Sequence, residues 1–207
     1  MKLIHDIFAE MYMHLLKDEK PSLYFNEISK TQLFEQYPLI LLNKLKQTKQ
    51  SPKHHPEGNV WNHTMLVLDE AAKVKNESHN EKVFMWAALL HDIGKPDTTK
   101  NHKGKITSYD HDKIGAELTR KFLIEFTDDE VFIVKVVELV RWHMQILFVV
   151  NNLLFADVKT MKKQTDIKEV ALLGLCDRLG RLEANRSQEE NNIKMFIQKC
   201  KIDVNDK

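Results

Sequence analysis

The sequence predicts an all-α fold, and three observations carry that expectation. Glycine and proline are scarce, 6 and 5 in 207 residues, which favours long helices joined by few turns. Apolar residues recur at i, i+3 and i+4 in window after window. No segment alternates apolar and polar residues convincingly, so no sheet is expected beyond a small hairpin. The composition, 43% hydrophobic and 29% charged, is that of a globular chain with a real core.

The first fifty residues read as short helices over Ile4 to Lys17, Tyr24 to Phe34 and Leu39 to Leu45, punctuated by Pro21 and Pro38. Gln47 to Gly58, with Pro52 and Pro56, is a polar loop. Asn59 is a fair N-cap for a helix to about Lys75, with Val60, His63, Val67, Ala71 and Val74 on one face. The next helix, Asn80 to about Asp92, is apolar nearly all round and should be the buried centre. Gly94 suits its C-cap and Pro96 should stop it. Lys100 to Ser108 is polar, with Gly104 near a loop tip, as in a small hairpin.

A helix from His111 or Asp112 presents Ile114, Leu118 and Phe122. Thr127 with Glu130 resembles a capping box for a helix with Ile133, Val136, Val140, His143 and Leu147 on one side. Asp157 to Lys163 reads as one short turn. Asp166 with Glu169 opens a helix on which Val170, Leu173, Gly174 and Asp177 share the buried face. Gln188 to Lys199 is a last amphipathic helix. No repeat or interdomain linker is visible, so one domain over 1–207 is expected: an N-terminal helical lobe (1–50), a core (51–186) and a C-terminal helix (187–207).

Charge and cysteines exclude more than they identify. A net charge of +1 gives no strong pull toward nucleic acid or anionic membrane. Cys176 and Cys200 form no Cys-x-x-Cys, which suits reduced thiols in a cytoplasmic protein. The start, Met-Lys-Leu-Ile-His-Asp, lacks a signal-type apolar core, and the longest apolar run, Ile146 to Val150, is far too short to cross a bilayer.

The chemistry gathers on His63, the pair His91-Asp92, His111, His143 and Asp177, which lie on or beside apolar stripes of five helices. A lone histidine on such a stripe is more often a hydrogen-bonded core residue than a ligand. Asp177 alone has Arg141 or Arg178 as a plausible partner, and His111 alone suits a helix cap. Two polar groups ending a buried helix together are harder to place, because an unpaired buried charge is costly. Together, imidazoles and carboxylates form a donor set for iron, manganese, nickel, cobalt or zinc rather than calcium. His54, His55 and His102 read as loop residues, with His55 in reach of a site rim; His5, His14 and His79 read as surface residues. Trp61, Trp86 and Trp142 read as packing around the site, with Trp61 or Trp142 an alternative stacking face for a base.

These residues carry a resemblance. His63, His91-Asp92 and Asp177 are similar to the signature of the HD superfamily of metal-dependent phosphohydrolases. The flanks His55-Pro-Glu-Gly-Asn-Val-Trp-Asn-His63-Thr, Tyr109-Asp-His-Asp-Lys-Ile-Gly-Ala-Glu117, Leu139-Val-Arg-Trp-His-Met144 and Leu175-Cys-Asp-Arg-Leu-Gly-Arg181 resemble the C-terminal HD domain of bacterial CCA-adding enzymes, here without a nucleotidyltransferase head. The resemblance covers about Pro21 to Arg186. It implies an HD-domain helical bundle with a buried metal site among its core helices. His63, His91, Asp92 and Asp177 are its implied primary ligands. His111 and His143 are implied for a second ion, with Asp92 bridging. A single-ion site with those two histidines lining a phosphate pocket is the alternative; magnesium is also admissible.

The implied activity is hydrolysis of a nucleotide or similar small phosphoester by a metal-activated water. Lys95, just past the His-Asp pair, is the first candidate for a phosphate contact. Arg141 and Arg178 are further candidates, or else partners of the carboxylates. Asp112 is a candidate general acid or a support for His111. The rival reading is a module that binds a nucleotide or a tRNA end with little or no turnover. No membrane partner is expected, nor nucleic acid beyond a tRNA end. The sequence leaves the oligomeric state open.

Overall fold

A computed structural model describes residues 4–202, with side chains from Asp6 onward. The N-terminal Met-Lys-Leu and the side chain of His5 lie outside the described residues. The helices are α1 (Ile4–Lys17), α2 (Pro21–Ile28), α3 (Ile40–Asn43), α4 (Val60–Val74), α5 (Glu81–Leu90), α6 (Lys95–Thr98), α7 (His111–Leu123), α8 (Glu130–Trp142), α9 (Gln145–Val150), α10 (Val158–Gln164), α11 (Ile167–Leu179) and α12 (Arg186–Ile202). Strands β1 (Thr99–His102) and β2 (Lys105–Ser108) form an antiparallel hairpin between α6 and α7. Lys103 and Gly104 both take positive φ at its tip, the two-residue turn that fits the twist of the strands. The architecture is helical, as the sequence predicts.

Helix α5 is the hub, packing against α1, α4, α8 and α11. Every residue from Val83 to Leu90 is buried, which is what an all-round apolar helix must do. Its start is fixed by Asn80, whose side chain accepts the Val83 N–H at 3.1 Å. Asn59 caps α4 in the same way, accepting from Asn62 N at 2.8 Å.

Several boundaries differ from the sequence reading. The expected helix over Tyr24 to Phe34 splits into α2 and a 3-10 turn at Gln32–Glu35. The hydroxyls of Ser29 and Thr31 donate back to the carbonyls of Asn26 and Ile28, closing α2. The cap of α8 is Asp129, accepting from Phe132 N at 3.0 Å, while Thr127 accepts the Asp129 N–H and Glu130 pairs with Arg120. A carboxylate is the better cap at a positive helix end. Helix α8 stops at Trp142 rather than running on to Leu147. Gly94 is not a left-handed cap: its φ of −81° and ψ of −13° suit any residue. It is required for space, because an added Cβ would lie 2.2 Å from the carbonyl oxygen of His111. Pro96 sits in the first turn of α6, where its missing N–H costs nothing. His79 is exposed as expected, whereas His14 is half-buried and pairs with Asp18 at 2.8 Å.

Candidate metal centre

Helix ends build the site. His63 comes from the second turn of α4, and Asp177 from the last turn of α11. His91 and Asp92 leave the end of α5, His111 opens α7, and His143 follows α8. All six are buried. They are polar groups in a packed interior, so each needs partners.

The imidazoles share one arrangement. The Nδ1–H of His91 donates to Ala88 O at 2.9 Å, that of His111 to Ser108 O at 2.6 Å, and that of His143 to Val140 O at 2.7 Å. Each ring is thereby fixed in the tautomer that leaves an Nε2 lone pair free. All three Nε2 atoms are buried and without a hydrogen bond. They converge on Asp92: His91 Nε2 lies 3.3 Å from Oδ2, while His111 and His143 Nε2 lie 3.5 and 3.9 Å from Oδ1. His63 differs: its Nε2 is the hydrogen-bonded nitrogen, paired with Asp177, and its Nδ1 makes no hydrogen bond although the Glu57 carboxylate lies beside it. Its Nδ1 is 3.0 Å from Glu57 Oε1, and its Nε2 is 2.9 Å from Asp177 Oδ1 and 3.9 Å from Asp92 Oδ2.

The two oxygens of Asp92 thus face two groups, His63 with His91 and His111 with His143. Within each, one donor atom per residue lies inside 4.8 Å of the others. Lone pairs without hydrogen bonds gathered around a shared carboxylate fit a divalent metal.

The field agrees. Burial raises the Asp92 carboxyl, but Lys95 and His91 outweigh it and hold it well below the usual carboxylate range. Burial likewise opposes the ionisation of Asp177, but the His63 hydrogen bond and Arg181 outweigh it and hold this carboxyl well below the usual range. Burial pushes His143 down to about 4, and His111 is also lowered, chiefly by burial. His91 goes the other way, because Asp92 outweighs its burial and raises it, so a metal there would have to displace that proton.

A cavity of about 810 Å³ opens over the cluster. Lys95 lines it, with Nζ 2.7 Å from both Asp92 Oδ2 and Gln50 Oε1. Arg141 lines it too, ion-paired to Asp112 and lying 4.4 Å over the Trp142 ring. Asp112 therefore supports Arg141 rather than His111. Arg178 does not reach the cavity. Its guanidinium donates to Glu189 of α12 at 2.9 Å, tying α11 to α12, so the expected substrate contact does not fit its placement. Arg181, past the end of α11, faces the cavity instead, 3.9 Å from Asp177 Oδ2. Trp61 and Trp142 are buried and do not line the cavity, so neither presents a stacking face there; their indole N–H groups donate to Asn26 and Gln164.

Glu57 and Gln50 have no counterpart in the sequence reading. They sit in a proline-bearing loop without periodicity, and the only available signal was their closeness to His63 along the chain. Glu57 Oε1 also takes the Nδ1 of His55 at 2.8 Å, which draws His55 to the cavity rim. Burial opposes the ionisation of Glu57, but the His63 imidazole 3.0 Å away, its own backbone N–H and the hydrogen bond from His55 hold its pKa down at about 2. A carboxylate behind a ligating imidazole fixes its orientation. Glu57→Ala is expected to weaken metal affinity by about 10- to 100-fold while the helical far-UV spectrum is kept, as metal titration of the apoprotein would show.

Helices that converge their ends on a buried His/Asp cluster under a cation-lined cavity define a helical protein able to hold a divalent metal. The HD domain family model matches residues 60–182, more than half of the sequence, and the chain belongs to that family. HD domains bind divalent metals and are generally metal-dependent hydrolases. Similar curated proteins carry the name Multifunctional CCA protein. That of Methylococcus capsulatus is 24% identical over 203 residues, 96% of this chain and 40% of the relative. That of Haemophilus influenzae is 32% identical over 110 residues, 51% of this chain and 25% of the relative. That of Haemophilus ducreyi is 36% identical over 81 residues, 39% and 19%. The chain spans under half the length of these relatives. Among the described residues no helix is long and apolar enough to cross a membrane.

Proposed function

We propose that this chain is a metal-dependent phosphohydrolase acting on a nucleotide or similar small phosphoester. The observation that carries the reading is the set of three buried imidazole Nε2 atoms, free of hydrogen bonds and turned on one carboxylate. His63, His91, Asp92 and Asp177 would hold one ion, and Asp92, His111 and His143 a second. The nitrogen-rich donor set suits iron, manganese, nickel, cobalt or zinc better than magnesium. Such ions, when bound, activate water and neutralise charge on phosphoryl oxygens.

The chain's own residues supply the rest. Lys95 and Arg141 face the cavity as anion contacts, and both are held in place, Lys95 by Gln50 and Asp92, Arg141 by Asp112. Prepositioned cations are what phosphoryl transfer asks of a protein. Arg181 adds positive charge on the Asp177 side.

Elemental analysis combined with a phosphoester panel tests this reading. Wild type is expected to bind two ions and turn over phosphomonoesters or cyclic phosphodiesters. His143→Ala is expected to bind one ion with its fold intact. Two ions retained by that variant would remove the second site. Nucleotide binding without turnover by the metal-loaded wild type would favour the binding-module reading instead.

A further inference from the structure

Away from the His/Asp cluster the cavity wall turns apolar. Tyr109, Met144, Leu147, Phe148, Leu153 and Phe155 line it. Tyr109 lies two residues before His111 and Met144 directly follows His143, so this wall begins where the cluster ends. Two of its rings stand largely in solvent, Tyr109 at 68% and Phe155 at 64% exposure, with Leu147 and Leu153 also exposed beside them. Isolated exposed apolar residues mean little, but a contiguous set at a cavity mouth marks a binding surface.

The wall is also held in place. Gln145, only 1% exposed, commits both ends of its amide to the segment after α9. Its Nε2 donates to Phe155 O at 3.4 Å and its Oε1 accepts the Asp157 N–H at 2.9 Å. Lys199 of α12 reaches across to Val149 O, Val150 O and Asn152 Oδ1, at 3.2, 3.1 and 2.7 Å. Leu153 N donates to Phe148 O at 2.8 Å. A segment fixed by a buried amide and a lysine holds its apolar faces outward by construction, which lowers the cost of ordering them around a ligand. The Phe148 and Phe155 rings sit 5.6 Å apart, tilted by 54°. Of the six side chains only Tyr109 carries a hydrogen-bonding group, and the charged neighbours that share this side of the cavity are engaged, Asp110 with Lys113 at 2.7 Å and Asp157 with the Thr160 N–H at 3.0 Å.

We propose that this wall is a subsite for a flat aromatic group of the substrate, gripped by Tyr109 and Phe155 while the phosphate lies at the cluster. It rests on the phosphohydrolase reading and adds a substrate class: phosphoesters bearing an aromatic group, in preference to short alkyl or bare sugar phosphates. Because faces rather than edges are read, different aromatic groups should be accepted about equally.

Phosphonates test this, since water does not cleave their P–C bond. Calorimetry on the manganese-loaded full chain would compare naphthylmethylphosphonate with propylphosphonate. Wild type is expected to bind the aromatic compound about 10-fold or more tighter, the scale that stacking on aromatic side chains carries. Phe155→Ala with Tyr109→Ala is expected to erase that gap and leave propylphosphonate binding unchanged. Both side chains are exposed, so truncation should spare the core, and an unchanged unfolding midpoint checks it. Equal affinity of wild type for both compounds would overturn the subsite and leave the hydrolase reading standing. So would a change of mass from dimer to monomer in the double variant, which would make the wall an interface between copies. An aromatic preference in a protein with no turnover of any phosphoester would support the subsite and sink the hydrolase reading instead.

Discussion

Asp92→Ala is expected to bind less than one metal ion per chain and to lose phosphoester hydrolysis by about a thousandfold or more. The magnitude follows from the several kcal/mol of charge stabilisation a bound ion supplies, about 4 kcal/mol corresponding to three orders of magnitude. Asp92 is the one residue common to both groups of donors, with Oδ2 toward His63 and His91 and Oδ1 toward His111 and His143. Any other single ligand belongs to one group, so its loss should leave an ion behind. Removing the carboxylate also strips Lys95 of its anionic partner at 2.7 Å and leaves it with Gln50.

A second readout separates metal loss from unfolding. Metal at a hundred times its Kd should stabilise the wild type by about 2.7 kcal/mol, and should do nothing for the variant. Asp92→Asn keeps the volume and a hydrogen-bond acceptor for Lys95 but removes the charge, so it should fold like wild type and still fail to bind metal. Two ions per chain in either variant would refute the shared-carboxylate account.

Helices were legible in the sequence because burial has a period, and the same period put His63 and His143 on apolar stripes. Where periodicity was absent, the sequence said less. Glu57 and Gln50 reach the site from a loop between Gln47 and Val60 whose path depends on tertiary contacts, such as the bridge between Lys49 and Asn59. The pairing of Asp112 with Arg141 joins residues 29 apart on two helices, and no local pattern encodes it.

Arg178 is different, because a rule bears on its direction. Arg178 follows Asp177 on α11 and so points about 100° around the helix from it. Arg181 lies past the Gly180 cap, where no helical period gives its direction, and the turn after α11 is what brings it to the cavity. The aromatic wall escaped because the 151–157 segment takes its shape from Gln145 and Lys199, one buried side chain and one distant one.

Gly94→Ala is expected to be the most damaging one-carbon change near the site. Gly94 has an ordinary right-handed backbone, so conformational strain plays no part. The obstacle is α7: an added Cβ would sit 2.2 Å from His111 O, 2.5 Å from Gly115 N and 2.9 Å from Gly115 Cα. All three are backbone atoms, which cannot swing aside as a side chain does, so α7 must move. Overpacking of this kind should cost about 3 kcal/mol, a fall in Tm of about 6–12 °C for a chain this size.

Because His111 opens α7, the same displacement should draw its Nε2 away from Asp92. The surviving folded protein should then hold one ion rather than two. Gly115→Ala is the control. Its Cβ would meet nothing closer than Val140 Cγ1 at 3.4 Å, and alanine is the better helix former by about 1 kcal/mol. That variant should keep both its stability and its metal content. Equal tolerance of the two substitutions, by calorimetry and elemental analysis, would show that α7 is not clamped against the His91–Asp92 turn. The close glycine contact would then have no part in holding His111 over the cluster.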